Sequence, residues 1–275
     1  MSSNPEIAKS IQTGAFKTNY HDVGEGAPVF LIHGSGPGVT AWANWRLVIP
    51  ELAKNNRVIA PDMAGFGFTE RVEGYEHTME NWVQHAIDLM DALGIEKTHL
   101  VGNSFGGGLS LALAIKHPER VDRLVLMGAA GVDFELTQGL DEVWGYEPSV
   151  ANMRSMMDWF AYDRTLVTDE LSELRYQASI QPGFQESFSQ MFPAPRQRWV
   201  DALASSHEDI KNIKHETLLI HGREDRVVPP ITSTTLFELL QNSQLHMFGC
   251  CGHWTQIEQN ARFNELVKDF FAEAE

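Results

Sequence analysis

Cysteine is scarce in this chain, with two among 275 residues, and those two, Cys250 and Cys251, are adjacent. A bridge between chain neighbours would close a strained ring, so free thiols in a reducing compartment are expected. Positive charge is scarce as well. Lys and Arg number 21 against 37 Asp and Glu, a formal net charge of −16, and no basic stripe offsets it. Nucleic acid and anionic membrane, which attract basic surfaces, are therefore not expected as partners. No apolar run approaches membrane-spanning length, and Met1 to Glu6 shows no cationic start leading into an apolar stretch, so the expected location is cytoplasmic. There is no zinc-type spacing of Cys and His and no internal repeat, so no metal is expected. With 43% hydrophobic residues the chain can bury a full core, but it is long for one domain unless an insertion accounts for the excess.

What is present begins with Gly102-Asn-Ser-Phe-Gly106, set between an apolar β-like run, Thr98 to Val101, and a helical run, Leu109 to His117. In G-x-S-x-G, small residues let the chain turn sharply from strand to helix and hold the serine hydroxyl above the sheet, with the next amide, that of Phe105, free to face a developing oxyanion. The pentapeptide alone also fits a plain glycine turn packing a helix on a strand. Partners in the required order change the balance. Thr217 to Gly222 reads as a buried strand whose following turn carries Asp225, and Gln244 to Phe248 reads as the next strand, whose loop carries His253. Three chemistry-bearing residues at three strand ends support one another as nucleophile, acid and base. Asp133, after the strand Arg123 to Met127, competes for the acid role, but Asp225 in its tight turn is the stronger candidate. Among eleven histidines, His33, His221 and His246 read as hydrogen-bonded packing residues.

A second glycine-rich segment, Val29 to Gly38, runs from an apolar strand into His-Gly-Ser-Gly-Pro-Gly. It lacks the Lys-Ser/Thr ending of a Walker loop, and Pro37 interrupts a dinucleotide-type turn. It reads as the loop whose Ser35 amide is the second oxyanion donor beside Phe105, with an ordinary strand-to-loop turn as the alternative. Strand-like runs at Phe16 to His21, Val29 to Ile32, Arg57 to Ala60, His99 to Val101, Leu124 to Met127, Leu218 to Ile220 and Leu245 to Phe248 alternate with helical patterns, which predicts an α/β fold with a mostly parallel, doubly wound sheet. Between Gly131 and His215 the alternation stops. Helices are predicted over Pro148 to Ala161, Thr168 to Ile180, Gly183 to Met191 and Arg196 to Ala204. The simplest organisation is a core of residues 1–133 and 209–275 with a helical lid, 134–208, inserted between two strands and closing Ser104 off from water.

The segment Phe30 to Trp45 with its HGSGPG, the elbow GNSFGG, the stretches LRYQASIQPGFQESF and MFPAPRQRW, then HGRED and CGHW, resemble the meta-cleavage product hydrolases over nearly the whole chain. These are α/β-hydrolase-fold enzymes that cut a carbon–carbon bond in ring-opened catechols during bacterial degradation of aromatic compounds, and the likeness is to the branch handling products of monoalkylated catechols. The resemblance implies an anionic small-molecule dienoate of the 2-hydroxy-6-oxohepta-2,4-dienoate or 2-hydroxymuconic semialdehyde type, no cofactor, and a homo-oligomer, dimer or larger. It implies Arg175, Asn44, Asn103 and Trp254 at the substrate's carboxylate end, and an acyl pocket of Ala130, Leu140, Trp144, Val200 and Val227. Read without it, Arg175 is a solvated lid arginine and the others are ordinary core. A carboxylesterase or lactonase with the same triad, and a non-enzymatic ligand receptor on the same fold, are the alternatives. Serine at the elbow argues against the dehalogenases and epoxide hydrolases, which place an aspartate there.

Overall fold

The computed structural model describes residues 4–272. Eight strands form one sheet: β1 (Lys9–Thr13), β2 (Phe16–Val23), β3 (Ala27–Ile32), β4 (Asn56–Pro61), β5 (Thr98–Asn103), β6 (Val121–Met127), β7 (Thr217–Gly222) and β8 (Ser243–Phe248). Their spatial order is β1-β2-β4-β3-β5-β6-β7-β8, antiparallel between β1, β2 and β4 and parallel from β4 to β8. The seven predicted runs are all strands. β1 was not foreseen, because KSIQT is an edge strand with only Thr13 buried and so lacks the apolar signature of its neighbours.

The helices of the first half are α1 (Ala41–Trp45), α2 (Ile49–Leu52), α3 (Met79–Ala92) and α4 (Phe105–Lys116). Between β6 and β7 come α5 (Gln138–Trp144), α6 (Val150–Phe160), α7 (Asp169–Ser179), α8 (Phe184–Met191), α9 (Gln197–Leu203) and α10 (His207–Asn212), and α11 (Ile231–Leu239), α12 (Thr255–Glu258) and α13 (Asn260–Ala272) complete the chain. The four helices read from periodicity correspond to α6 to α9. The short α5 and α10 were missed, since one or two turns carry too little period to register.

The central strands are apolar on both sides because helices cover both faces. One face packs Phe30, Ile32, Leu100, Leu124 and Leu126 against α4, with α3 packed beside α4. The other packs Val29, Leu31, Val101, Val125 and Ile220 with Trp45, Leu52, Phe263 and Val267. Helix α4 is buried from Phe105 to Ala114, and each of its leucines contributes on the order of 1.5–3 kcal/mol by leaving water. The base of the serine turn is thereby fixed. Among the described residues, no helix is long and apolar enough to cross a membrane.

Candidate active site

Ser104 stands between β5 and α4 with φ 55° and ψ −116°, a left-handed conformation that side chains other than glycine rarely adopt. Its amide is held by Met127 O at 3.0 Å, and its carbonyl accepts from the amides of Gly107, Gly108 and Ala130, so the strain is fixed from both sides. The flanking glycines are required for room. A Cβ on Gly102 would overlap the carbonyl of Gly106, and one on Gly106 would overlap the carbonyl of Ile32.

Asp225 follows β7 in a tight turn and is buried. Its Oδ1 accepts the amides of Val227 at 2.8 Å and Val228 at 3.0 Å, and its Oδ2 accepts from His253 Nδ1 at 2.6 Å. Burial by itself would raise this carboxyl, but the His253 charge and the bonds from His221 and His253 hold it well below the usual carboxylate range. Nδ1 is then the protonated ring nitrogen, which leaves Nε2 of His253 to act as a base. His253 and Ser104 line the same cavity. Hydrogen bonds between nucleophile and base are often long before substrate is bound.

His221 is buried and hydrogen-bonded, as expected of a packing residue, but it also borders the acid, with Nε2 3.2 Å from Asp225 Oδ2 and Nδ1 2.7 Å from Ser233 Oγ. His33 lies under the glycine loop, with Nδ1 2.8 Å from Gly34 O while Nε2 accepts the Met63 amide at 3.0 Å; burial pushes it down to about 4. It is therefore a neutral brace. Asp133, by contrast, lies at the surface 3.5 Å from His207.

Two chambers meet at Ser35 and Ser104. The smaller has a free volume of about 10 Å³ and is walled by Phe105, Ala130, Phe134, Leu140, Trp144, Val200, Leu203 and Val228. Four of the five residues assigned to the acyl pocket are among these. Val227 is not; it faces the larger chamber. The cause is the turn after Asp225, which gathers two consecutive amides onto one carboxylate oxygen and so sends Val227 and Val228 to different walls.

The larger chamber has a free volume of about 210 Å³ and contains Asn44, Asn103, Arg175 and Trp254, all expected at the carboxylate end. Methionines 153, 156 and 157 and Phe160 from α6 form an apolar wall, and Trp254 stacks on Phe160 at 5.4 Å. Arg175 is held by Glu6 at 3.2 Å and by the Gly38 carbonyl. Arg46, which sequence reasoning passed over, also lines this chamber; burial first, then the Arg175 charge, lower its pKa, and its hydrogen bond among the described residues is to Ala43 O. Gln256 was missed too. Its Oε1 and the Nδ2 of Asn44, both residues that line the chamber, are buried without a hydrogen-bond partner among the described residues. Neither Arg46, Glu6 nor Gln256 sits in a motif, so no sequence signal marks them. Among the described residues there is also no cluster of His, Cys, Asp or Glu that would hold a metal ion.

The model of the α/β-hydrolase fold family matches residues 27–259. The chain is 65% identical over 269 residues to 2-hydroxy-6-oxo-2,4-heptadienoate hydrolase of Pseudomonas putida, covering 98% of each chain. It is 63% identical over 273 residues to 2-hydroxymuconate semialdehyde hydrolase of a Pseudomonas species, covering 99% of this chain and 96% of the relative. Among solved structures it is similar to a serine-to-alanine variant of the meta-cleavage product hydrolase from Pseudomonas fluorescens complexed with acetates, with a TM-score of 0.98, 67% identity, and coverage of 99% and 100% of the two chains.

Proposed function

Because the chain belongs to the α/β-hydrolase fold family, and within it to the meta-cleavage product hydrolases, we propose that it hydrolyses the carbon–carbon bond beside the C6 carbonyl of a 2-hydroxy-6-oxohepta-2,4-dienoate or 2-hydroxymuconic semialdehyde type of substrate. The products are 2-hydroxypenta-2,4-dienoate and a short carboxylic acid, water supplying the oxygen and two hydrogens. The observation that carries this reading is the division of the cavity at Ser104 into a small apolar chamber and a larger one bearing two arginines. A dienoate with a short acyl group at one end and a carboxylate at the other has the same polarity. The esterase reading explains the triad but gives no use for the arginines.

In this mechanism His253 moves the dienol proton so that the chain ketonises and the bond to be cut acquires an electron sink. Ser104, or water activated by His253, adds to the C6 carbonyl, and the amides of Ser35 and Phe105 take the oxyanion. Neither amide has a protein acceptor among the described residues, which favours this role. Asp225 holds the tautomer of His253. Arg175, Asn44, Asn103 and Trp254 face the carboxylate end, Val227 the chain between, and Ala130, Leu140, Trp144 and Val200 the acyl group. Residues 134–208 act as the lid that excludes water from the reacting bond.

The test is loss of the dienolate absorbance for substrates bearing hydrogen, methyl, isopropyl or phenyl at C6. Hydrogen and methyl are expected to be turned over within about tenfold of each other, since methylene-scale differences in an apolar pocket are worth only about 1–3 kcal/mol. Phenyl is expected to be poor. Faster hydrolysis of simple esters than of any dienoate would overturn the reading.

A further inference from the structure

We infer that Trp144 is a positioning residue for the reaction and that it acts through Ser35, so that the size of the acyl group is read in the rate of chemistry as well as in binding. This rests on the reading of the site given above. The Trp144 indole nitrogen lies 3.0 Å from Ser35 Oγ, both side chains are buried, and the two residues are 109 positions apart in the chain. An indole N–H can only donate, so the direction of the bond is fixed: Trp144 donates and the serine hydroxyl accepts.

A hydroxyl has one proton and two lone pairs. With one lone pair taken by the indole, the Ser35 hydroxyl keeps its proton for another acceptor, and among the described residues no protein group takes it. Ser35 borders both chambers, beside Ser104. Its amide is one of the proposed oxyanion donors, so a bond that fixes this residue also fixes the donor that has to meet the C6 oxygen. Trp144 is in turn immobilised from behind. It lies flat on Phe192, with ring centroids 4.5 Å apart and 8° between planes, and Phe192 meets Trp199 edge-on at 6.4 Å and 82°.

Trp144 is therefore both a wall of the small chamber and the anchor of the loop that carries the oxyanion donor. With about 10 Å³ for the centre of a water-sized group, the small chamber is tight, and a branched acyl group presses on its walls, Trp144 among them. Displacing Trp144 breaks its bond to Ser35, and the loop loses its fixed position at the moment negative charge develops.

A double-mutant cycle tests this: Trp144→Phe, Ser35→Ala and the double variant, measured on the methyl dienoate and on p-nitrophenyl acetate, with thermal melts to verify folding. Trp144→Phe keeps an aromatic ring against Phe192 and removes the N–H together with ring atoms of the chamber wall, so the Ser35→Ala background is what isolates the hydrogen bond. Trp144→Phe is expected to lower kcat about tenfold, the effect of one lost hydrogen bond, and to leave KM within about twofold. On the Ser35→Ala background the same change is expected to lower kcat by no more than about twofold, because the partner is gone and only the lost ring area remains. Losses that multiply, or a change confined to KM, would overturn the inference. As a second measurement that needs no Trp144 variant, the kcat ratio of methyl to isopropyl substrate should shrink in Ser35→Ala; an unchanged ratio counts against it. The ester arm separates the two claims. No turnover of any dienoate by the unaltered enzyme defeats the proposed function, whereas independent effects of the two substitutions on the ester defeat this one.

Discussion

In the proposed function the two chambers on either side of Ser104 discriminate by different physics. The side proposed for the acyl group is about 10 Å³ and apolar, with Trp144 backed by Phe192, so it would select by volume. The side proposed for the carboxylate is about 210 Å³ and holds Arg46 and Arg175, with Glu6 as counter-charge, so it would select by charge and leave room for the dienoate chain. A protein carrying −16 overall repels an anion at long range, and in the proposed function the two guanidiniums supply the local attraction that the surface does not. A close-packed wall rejects steeply with size and tolerates chemistry, whereas a charged end tolerates size and rejects neutral molecules.

The largest expected effect removes what both chambers serve. Ser104→Ala should abolish product release, with a loss on the order of 10⁴ to 10⁶, while substrate still binds between the two sides. Asp225→Asn should cost roughly 10⁴, because His253 loses the group that fixes its tautomer, and Asp133→Asn should be near wild type. Steady-state kinetics on the methyl dienoate decides this. If Asp133→Asn proved the more damaging, the hydrogen bond from His253 to Asp225 would not be the catalytic one.

The sharper test of the charged side compares its two arginines. Arg175 already has an acid partner 3.2 Å away, whereas Arg46 has one backbone carbonyl. Arg175→Gln and Arg46→Gln should each lower kcat/KM on the dienoate by roughly 30- to 150-fold, the range for a charge-assisted bond in a closed site, and leave p-nitrophenyl acetate nearly unaffected. Glu6→Gln frees Arg175 and should lower KM for the dienoate. Equal losses on both substrates would make the arginines supports of the lid and erase the distinction between the chambers.

These residues also mark where sequence stops being informative. The serine turn was legible because its backbone conformation demands particular residues within five positions, and the acid and histidine because each follows a strand whose apolar run announces it. The doubly wound sheet was legible for the same reason. Arg46, Glu6 and Gln256 were not, since what gives them meaning is a contact across the fold; Glu6 and Arg175 are 169 positions apart. The likeness of motifs brought Arg175 and Trp144 to attention, but neither composition nor spacing tells that one is paired to the N-terminal segment and the other bonded to Ser35.

The placement of Val227 and Val228 against different chambers is the finest such case, and it gives the smallest expected effect. Adjacent residues in the turn after Asp225 point into different chambers, so the same truncation at each should have different consequences. Val228→Ala removes two methyl-sized groups from the wall of the volume-selecting side. It should raise kcat/KM for the isopropyl substrate relative to methyl by about three- to tenfold, within the roughly 1–3 kcal/mol that such groups are worth. Val227→Ala enlarges a chamber that already has room, so the isopropyl-to-methyl ratio should stay within about twofold of wild type, with at most a modest rise in KM for both as apolar contact with the chain is lost. Both variants keep the amides that bind Asp225, so the triad itself is not disturbed. If Val227→Ala shifted the acyl preference and Val228→Ala did not, the reacting carbonyl would lie with its acyl group in the larger chamber, and the assignment of charge to one side and volume to the other would have to be reversed.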